Sequence, residues 1–234
     1  MTDDRELAGL DPFALLDSEA GRLDVFLSGL GESGWKRPSR CAGWTVRDVL
    51  GHLAADEDYF RACLDGTVTA FLAGFAERGG TDLDSVNALG VADYAALSPA
   101  EVLSRWRAAS AKNRRGFRER GDGAVDTSVG DYPCRWQAFH GAAEPATHAD
   151  DIGVPVTPGE HRQRTAWRAR YSRFALAEVK PQLEIRHVGA RTAVTDGSTT
   201  VELDDDELIE AVMGRLDETS GFSPALRTLL SMMP

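Results

Sequence analysis

What most constrains this chain is a set of helix-opening signals, each followed by apolar residues that recur at three- and four-residue intervals. Asp11-Pro12 supplies a capping side chain and then proline at the first helical position. Leu15, Leu16, Leu23, Phe26, Leu27 and Leu30 follow on one stripe up to Gly31. Thr45, with Asp48 three residues on, is a capping-box variant that puts a carboxylate in the positive first turn. Its stripe runs through Val49, Leu53, Phe60 and Leu64 to Gly66. Ser98-Pro99-x-Glu101 combines cap, proline and glutamate ahead of Val102, Leu103, Trp106, Ala109 and Phe117. A fourth helix is expected from about Cys134 to Asp151, kinked or loosened at Pro145 and ended by Gly153 and Pro155. Residues 67–97 carry a weaker helical signal around Phe71, Leu72 and Phe75, and residues 121–130 read as a glycine-rich loop.

From about residue 159 the pattern changes. A basic amphipathic stretch around Trp167 and Phe174 precedes LEIRHV (183–188) and TTVELD (199–204), which read as short strands with Asp196-Gly197 as a hairpin turn. A final helix is expected from Asp204 to about Leu216. The expected architecture is mainly α: a helical bundle over residues 1–158, then a small α/β domain over 159–234. A chain of 234 residues can bury such a core without staples. Its 26 Lys+Arg against 37 Asp+Glu leave a net charge of −11, which argues against binding along a nucleic-acid backbone. No apolar run approaches the ~20 residues of a bilayer span, so no membrane partner is expected. The stretch MTDDRELAGLDPF lacks a basic-then-apolar leader pattern. Cys41, Cys63 and Cys134, with no CxxC, fit reduced thiols, and the expected location is the cytoplasm.

Two of the five histidines stand in suggestive company. Glu144 and His148 are four apart and project from one helix face, and His52 lies between Val49 and Leu53 on the expected buried side of another helix. Bundles build metal sites from such inward-facing imidazoles and carboxylates, and two His with one carboxylate suit a catalytic site that keeps an open position. By spacing alone, a Glu-xxx-His pair is more commonly a solvated contact, and a helical histidine a hydrogen-bonded core residue. Asp56, one turn beyond His52, reads evenly as an orienting partner or an exposed charge. His140, Trp35, Trp44 and Cys63 read as packing residues, and Asp151 as fixing a helix end. The arginines and lysine of residues 105–120 form a basic face that reads as a solvated counterweight to the acidic remainder.

The stretch Trp35-x-x-Pro38-x-x-Cys41-x-Gly43-Trp44-Thr45-Val46-x-Asp48-Val49-Leu50-x-His52-Leu53 resembles the N-terminal signature of the mycothiol-dependent maleylpyruvate isomerase family, a group of DinB-like metal-binding four-helix bundles. Glu144-x-x-x-His148-x-x-Asp151-Ile152 resembles that family's second signature. The resemblance implies a metal triad of His52, Glu144 and His148, with zinc the expected divalent ion. It also implies a bundle followed by a small C-terminal α/β domain, where Gly214-Arg215 matches a Gly-Arg pair of the family and Arg215 would bind a substrate carboxylate as a catalytic residue. The implied cofactor or co-substrate is the low-molecular-weight thiol mycothiol, its sulfur at the open metal position as a thiolate. Its implied partner is a small electrophile, anionic in character. Attack on a conjugated double bond with later expulsion is cis–trans isomerisation, and attack without expulsion is S-transfer. The rival readings are a metal-dependent hydrolase with water in that position and a non-catalytic zinc-binding regulator. The missing CxxC speaks against the latter.

Overall fold

The computed structural model describes Asp3–Met232 and divides into two compact units, one of Asp11–Val154 and one of the residues before Asp11 together with those from Pro155 on. In the first unit the strongest local signals become the longest helices. Helix α1 (Pro12–Ser28) starts where Asp11 accepts from the amides of Phe13 and Ala14, and the single turn α2 (Glu32–Trp35) follows. Helix α3 (Val46–Asp65) opens on the complete Thr45/Asp48 capping box and closes at Gly66, whose φ of 71° lies in the left-handed region that a side chain disfavours. The weaker region 67–97 holds α4 (Val68–Ala76) and α5 (Leu83–Asp93), and α6 (Pro99–Arg120) opens on the Ser98/Glu101 box.

The glycine-rich stretch expected to be a loop contains an antiparallel hairpin of β1 (Ala124–Thr127) and β2 (Gly130–Pro133), paired from Ala124–Pro133 to Thr127–Gly130. Four residues per strand and a polar, mostly exposed β2 leave no alternation to read in advance. Helix α7 (Cys134–Asp151) runs through Pro145 without a break. It is buried on nearly every side, and Ala138, Ala142, Ala146 and Ala149 have no exposed surface, so small side chains let neighbouring helices come close.

Helix α1 packs mainly on α7, and α3 mainly on α6 and α5, which makes a four-helix bundle of α1, α3, α6 and α7. Its core includes Leu23, Leu27, Val46, Val49, Leu50, Val102 and Trp106. Each fully buried leucine there contributes about 1.5–3 kcal/mol relative to exposure. Residues 36–45, carrying the first signature, fold back on themselves: Pro38 bridges Thr45 and the Ser39 amide donates to the Trp44 carbonyl (2.9 Å). They dock on the end of α7 where the Arg40 amide donates to the Asp151 carbonyl (3.0 Å) and Arg37 to that of Ile152 (3.1 Å).

The second unit is built on α8 (Pro158–Val179), capped by the Thr157/Glu160 box. A three-stranded antiparallel meander follows, β3 (Glu184–Val188), β4 (Arg191–Thr195) and β5 (Thr200–Leu203), then α9 (Asp205–Val212) and α10 (Pro224–Leu230). Asp196 makes the tight turn by accepting from the amides of Ser198 and Thr199. Helix α9 ends at Val212, four residues short of the expected Leu216. Residues before Asp11, read with the bundle, group instead with this unit. Buried Arg173 of α8 donates to Glu6 (2.9 Å), and His187 of β3 meets the other oxygen of the same carboxylate (2.8 Å). Among the described residues no helix is long and apolar enough to cross a membrane.

Candidate functional site

The cap at Thr45 starts α3 seven residues before His52, so His52 falls two turns in, on the stripe that faces α7. There it meets the Glu144–His148 pair, spaced one turn apart on one face of α7. The Nε2 atoms of His52 and His148 lie 3.8 and 3.5 Å from Glu144 Oε2, and the three donor atoms all lie within 4.8 Å of one another. The two imidazoles pack edge to face with centroids 4.7 Å apart. An ion bonded at about 2.0–2.2 Å to nitrogen and oxygen ligands holds tetrahedral donors roughly 3.4 Å apart, so these residues fit a divalent cation. The imidazoles are buried, whereas the Glu144 side chain is 42% exposed, so the cluster is closed on the histidine side and open along Glu144.

Asp151, buried at the end of α7, stands behind His148. Its Oδ2 lies 3.0 Å from Nδ1, and the Cys41 thiol donates to the same oxygen at 3.2 Å. Cys41, His148 and Asp151 therefore also form a close set of donor atoms. The Nδ1 contact with Asp151 sets the tautomer and leaves Nε2 to face His52 and Glu144. Trp44 covers His52 from the other side, with centroids 5.1 Å apart.

The mycothiol maleylpyruvate isomerase N-terminal domain model matches residues 16–153 of this chain. The chain belongs to this family. Over 107 residues it is 35% identical to the uncharacterized proteins Rv0036c and MT0041 of Mycobacterium tuberculosis (strains ATCC 25618 / H37Rv and CDC 1551 / Oshkosh). That stretch covers 43% of this chain and 39% of each relative, so the match spans about two-fifths of the length of these curated relatives. The crystal structure of the mycothiol-dependent maleylpyruvate isomerase shares the fold with a TM-score of 0.62, at 16% identity over 96% of this chain and 98% of that one. A histidine-to-alanine mutant of that isomerase matches with a TM-score of 0.54, at 18% identity over 76% of this chain and 72% of that one.

Electrostatics in this member of the family follow from the crowding of like and unlike charges. Burial works against the charged form of His148, but contacts with Asp151, Cys41 and Glu144 outweigh it and hold the imidazole well above its ordinary value. Loss of hydration on burial likewise works against the Glu144 charge, and contacts with the facing imidazoles of His148 and His52 outweigh it and hold the carboxyl below the usual range. Asp56 goes the other way. Burial, with Glu144 adding and the imidazoles opposing, pushes it up to about 6. Its Oδ2 lies 3.2 Å from His52 Nε2 yet is buried without a hydrogen-bond partner. Asp56 thus stands beside His52 but outside the three donor atoms that lie within 4.8 Å of one another.

Some expected roles change with this geometry. Asp151 does more than end a helix, because its carboxylate holds a histidine of the cluster. Asp56 faces Nε2 of His52, not the Nδ1 that an orienting partner takes. His140 stands apart, its Nε2 3.1 Å from the Tyr132 hydroxyl. Cys63 is buried, and burial pushes its thiol up to about 11, in keeping with a packing role. Arg215 lies just past α9, in the unit that includes the residues from Pro155 on, where it donates to the Met213 carbonyl (3.1 Å). Cys41 was missed as a neighbour of the site. Its place in the first signature was the available signal, but nothing in residue spacing brings it to Asp151, 110 positions away.

Proposed function

We propose that this chain is a metal-dependent enzyme that uses a low-molecular-weight thiol, mycothiol, against a small electrophile in the manner of a maleylpyruvate isomerase. His52, Glu144 and His148 would hold the divalent ion, zinc being the expected one. The observation that carries the reading is the convergence of these three donors, from two helices, in a member of this family. Bound there, a divalent ion supplies a Lewis acid that keeps a coordinated thiol sulfur deprotonated and nucleophilic at neutral pH.

The chain's own residues supply position and access. Asp151 accepts from His148 Nδ1, so the ring can turn only Nε2 toward the cluster, and that nitrogen must give up its proton to act as a ligand. Glu144 places its carboxylate between the two imidazoles and borders the open side, through which small molecules reach the donors. Trp44 and the loop tied to α7 close the far side against water. Both cis–trans isomerisation and S-transfer use the same nucleophile, and this site serves either.

Cobalt substitution tests the reading. Co²⁺-loaded protein should gain a thiolate-to-metal charge-transfer band when mycothiol is added, and a spectrum unchanged at saturating thiol overturns the coordination of sulfur. His148→Ala should lose Co²⁺ affinity by orders of magnitude, while its melting temperature in chelator stays near that of the wild type. Stoichiometric Co²⁺ in that variant would remove His148 from the ligand set.

A further inference from the structure

Behind His148, at the ring nitrogen turned away from Glu144, a second set of donors converges that the reading above leaves unused. Cys41 Sγ lies 3.2 Å from Asp151 Oδ2 and 3.7 Å from His148 Nδ1, and Nδ1 lies 3.0 Å from that same oxygen. A tetrahedral ion with sulfur at about 2.3 Å and nitrogen or oxygen at about 2.0–2.2 Å spaces such donors roughly 3.4–3.6 Å apart. Each side of the triangle is within a few tenths of an ångström of that spacing, so one ion reaches all three atoms.

The backbone holds these donors together without help from the side chains themselves. The Arg40 amide donates to the Asp151 carbonyl (3.0 Å), and the Cys41 amide donates to Ser39 Oγ (3.1 Å), which fixes the loop against the end of α7. Asp151 and His148 are buried and Cys41 is half-buried, so the thiol side gives an ion its way in. Charge also balances. A thiolate and a carboxylate together neutralise a divalent cation, which a buried place requires. Sulfur among the donors selects thiophilic ions over magnesium or calcium, which take oxygen. We propose that Cys41, Asp151 and His148 Nδ1 form a second metal site, for a thiophilic divalent cation such as zinc or cadmium, with one position left for a further ligand. As the ion's bonds to sulfur and nitrogen form, the thiol proton and the Nδ1 proton leave to solvent. The site does not depend on an ion at His52, Glu144 and His148. The two places share one imidazole, which bonds an ion through one nitrogen at a time while it keeps a hydrogen on the other.

The test is a Cd²⁺ titration of the reduced protein without mycothiol, followed by the ultraviolet thiolate-to-cadmium band. Wild type should develop the band, and Cys41→Ser should lack it while melting near wild type in chelator. His52→Ala should keep the band at a similar Cd²⁺ concentration, because it removes a donor of the other cluster only. Asp151→Asn should need at least about tenfold more Cd²⁺ to develop it. In wild type, Cd²⁺ should also protect Cys41 from iodoacetamide, read by peptide mapping, a measurement that needs no variant to fold. Absence of the band in wild type, its persistence in Cys41→Ser, or equal labelling of Cys41 with and without Cd²⁺ overturns the site. Loss of the band in His52→Ala, or an unchanged titration in Asp151→Asn, overturns this ligand set. None of these outcomes bears on Co²⁺ binding by His52, Glu144 and His148, so the two readings fail separately.

Discussion

Glu57, the residue after Asp56, shows how a single buried carboxyl can govern pH dependence. It is buried, and Asn113 donates both to its carboxylate (2.8 Å) and to its backbone carbonyl (2.7 Å). Burial outweighs the bonds from Asn113 and Ser110 and pushes the carboxyl up to about 7, from an ordinary 4.5. The folded protein then holds the proton more tightly than the unfolded chain does. The stability this lends is fully present below pH 4.5 and is lost as pH rises through 7, a swing of about 3 kcal/mol. Asp56 is raised as well and adds a loss of the same sign, so only a difference between proteins isolates Glu57. Glu57→Gln, measured without metal, should lose less melting temperature than wild type between pH 5 and pH 8. Parallel curves for the two proteins would show that Glu57 titrates normally.

Among the elements, the contact between α3 and α5 and the surface of α4 make opposite demands on the same substitution. A Cβ added at Gly90 of α5 would stand 2.9 Å from the Ala55 Cβ of α3, an atom with no torsion by which to yield. Gly90→Ala should therefore lower the melting temperature. Overpacking costs about 1–3 kcal/mol, of which the helical preference of alanine returns at most about 1. At Gly74 of α4 nothing lies within 4 Å, so Gly74→Ala should raise stability by about 0.5–1 kcal/mol. Equal shifts in the two variants would contradict the packing of α5 on α3. The basic row of α6 also finds its meaning at this scale. Arg107 pairs with Asp24 of α1, and Arg114 and Arg118 pair with Asp17, so much of the row answers carboxylates of the neighbouring helix. Such half-exposed pairs add only about 0–1 kcal/mol each.

In the molecule as a whole, every donor of the candidate site and the hydrophobic cluster behind it lie within Asp11–Val154. A protein of residues 11–154 alone should unfold cooperatively and retain one divalent ion per chain, read by elemental analysis and chelator-sensitive melting. A fragment that folds but takes up no metal would show that the donors need residues outside this unit. The four long helices and the small α/β unit were legible in advance for a physical reason. Caps such as Asp11, Thr45 and Ser98 and stripes such as Leu23–Leu27 act between residues at most four apart, and helices form from such local terms. The spacing of Glu144 and His148 is local in the same sense. What tertiary structure alone decided involves residues far apart in the chain or signals too short to stand out. Strands of four residues at 124–133 formed where only a loop was read, and Glu6 joined Arg173 and His187 in the other unit. Cys41 came to Asp151, and the orphaned oxygen of Asp56 came to face the same nitrogen as Glu144. Each of these depends on which helix faces pack together, and that is settled by burial summed over the whole core, not by any short stretch of sequence.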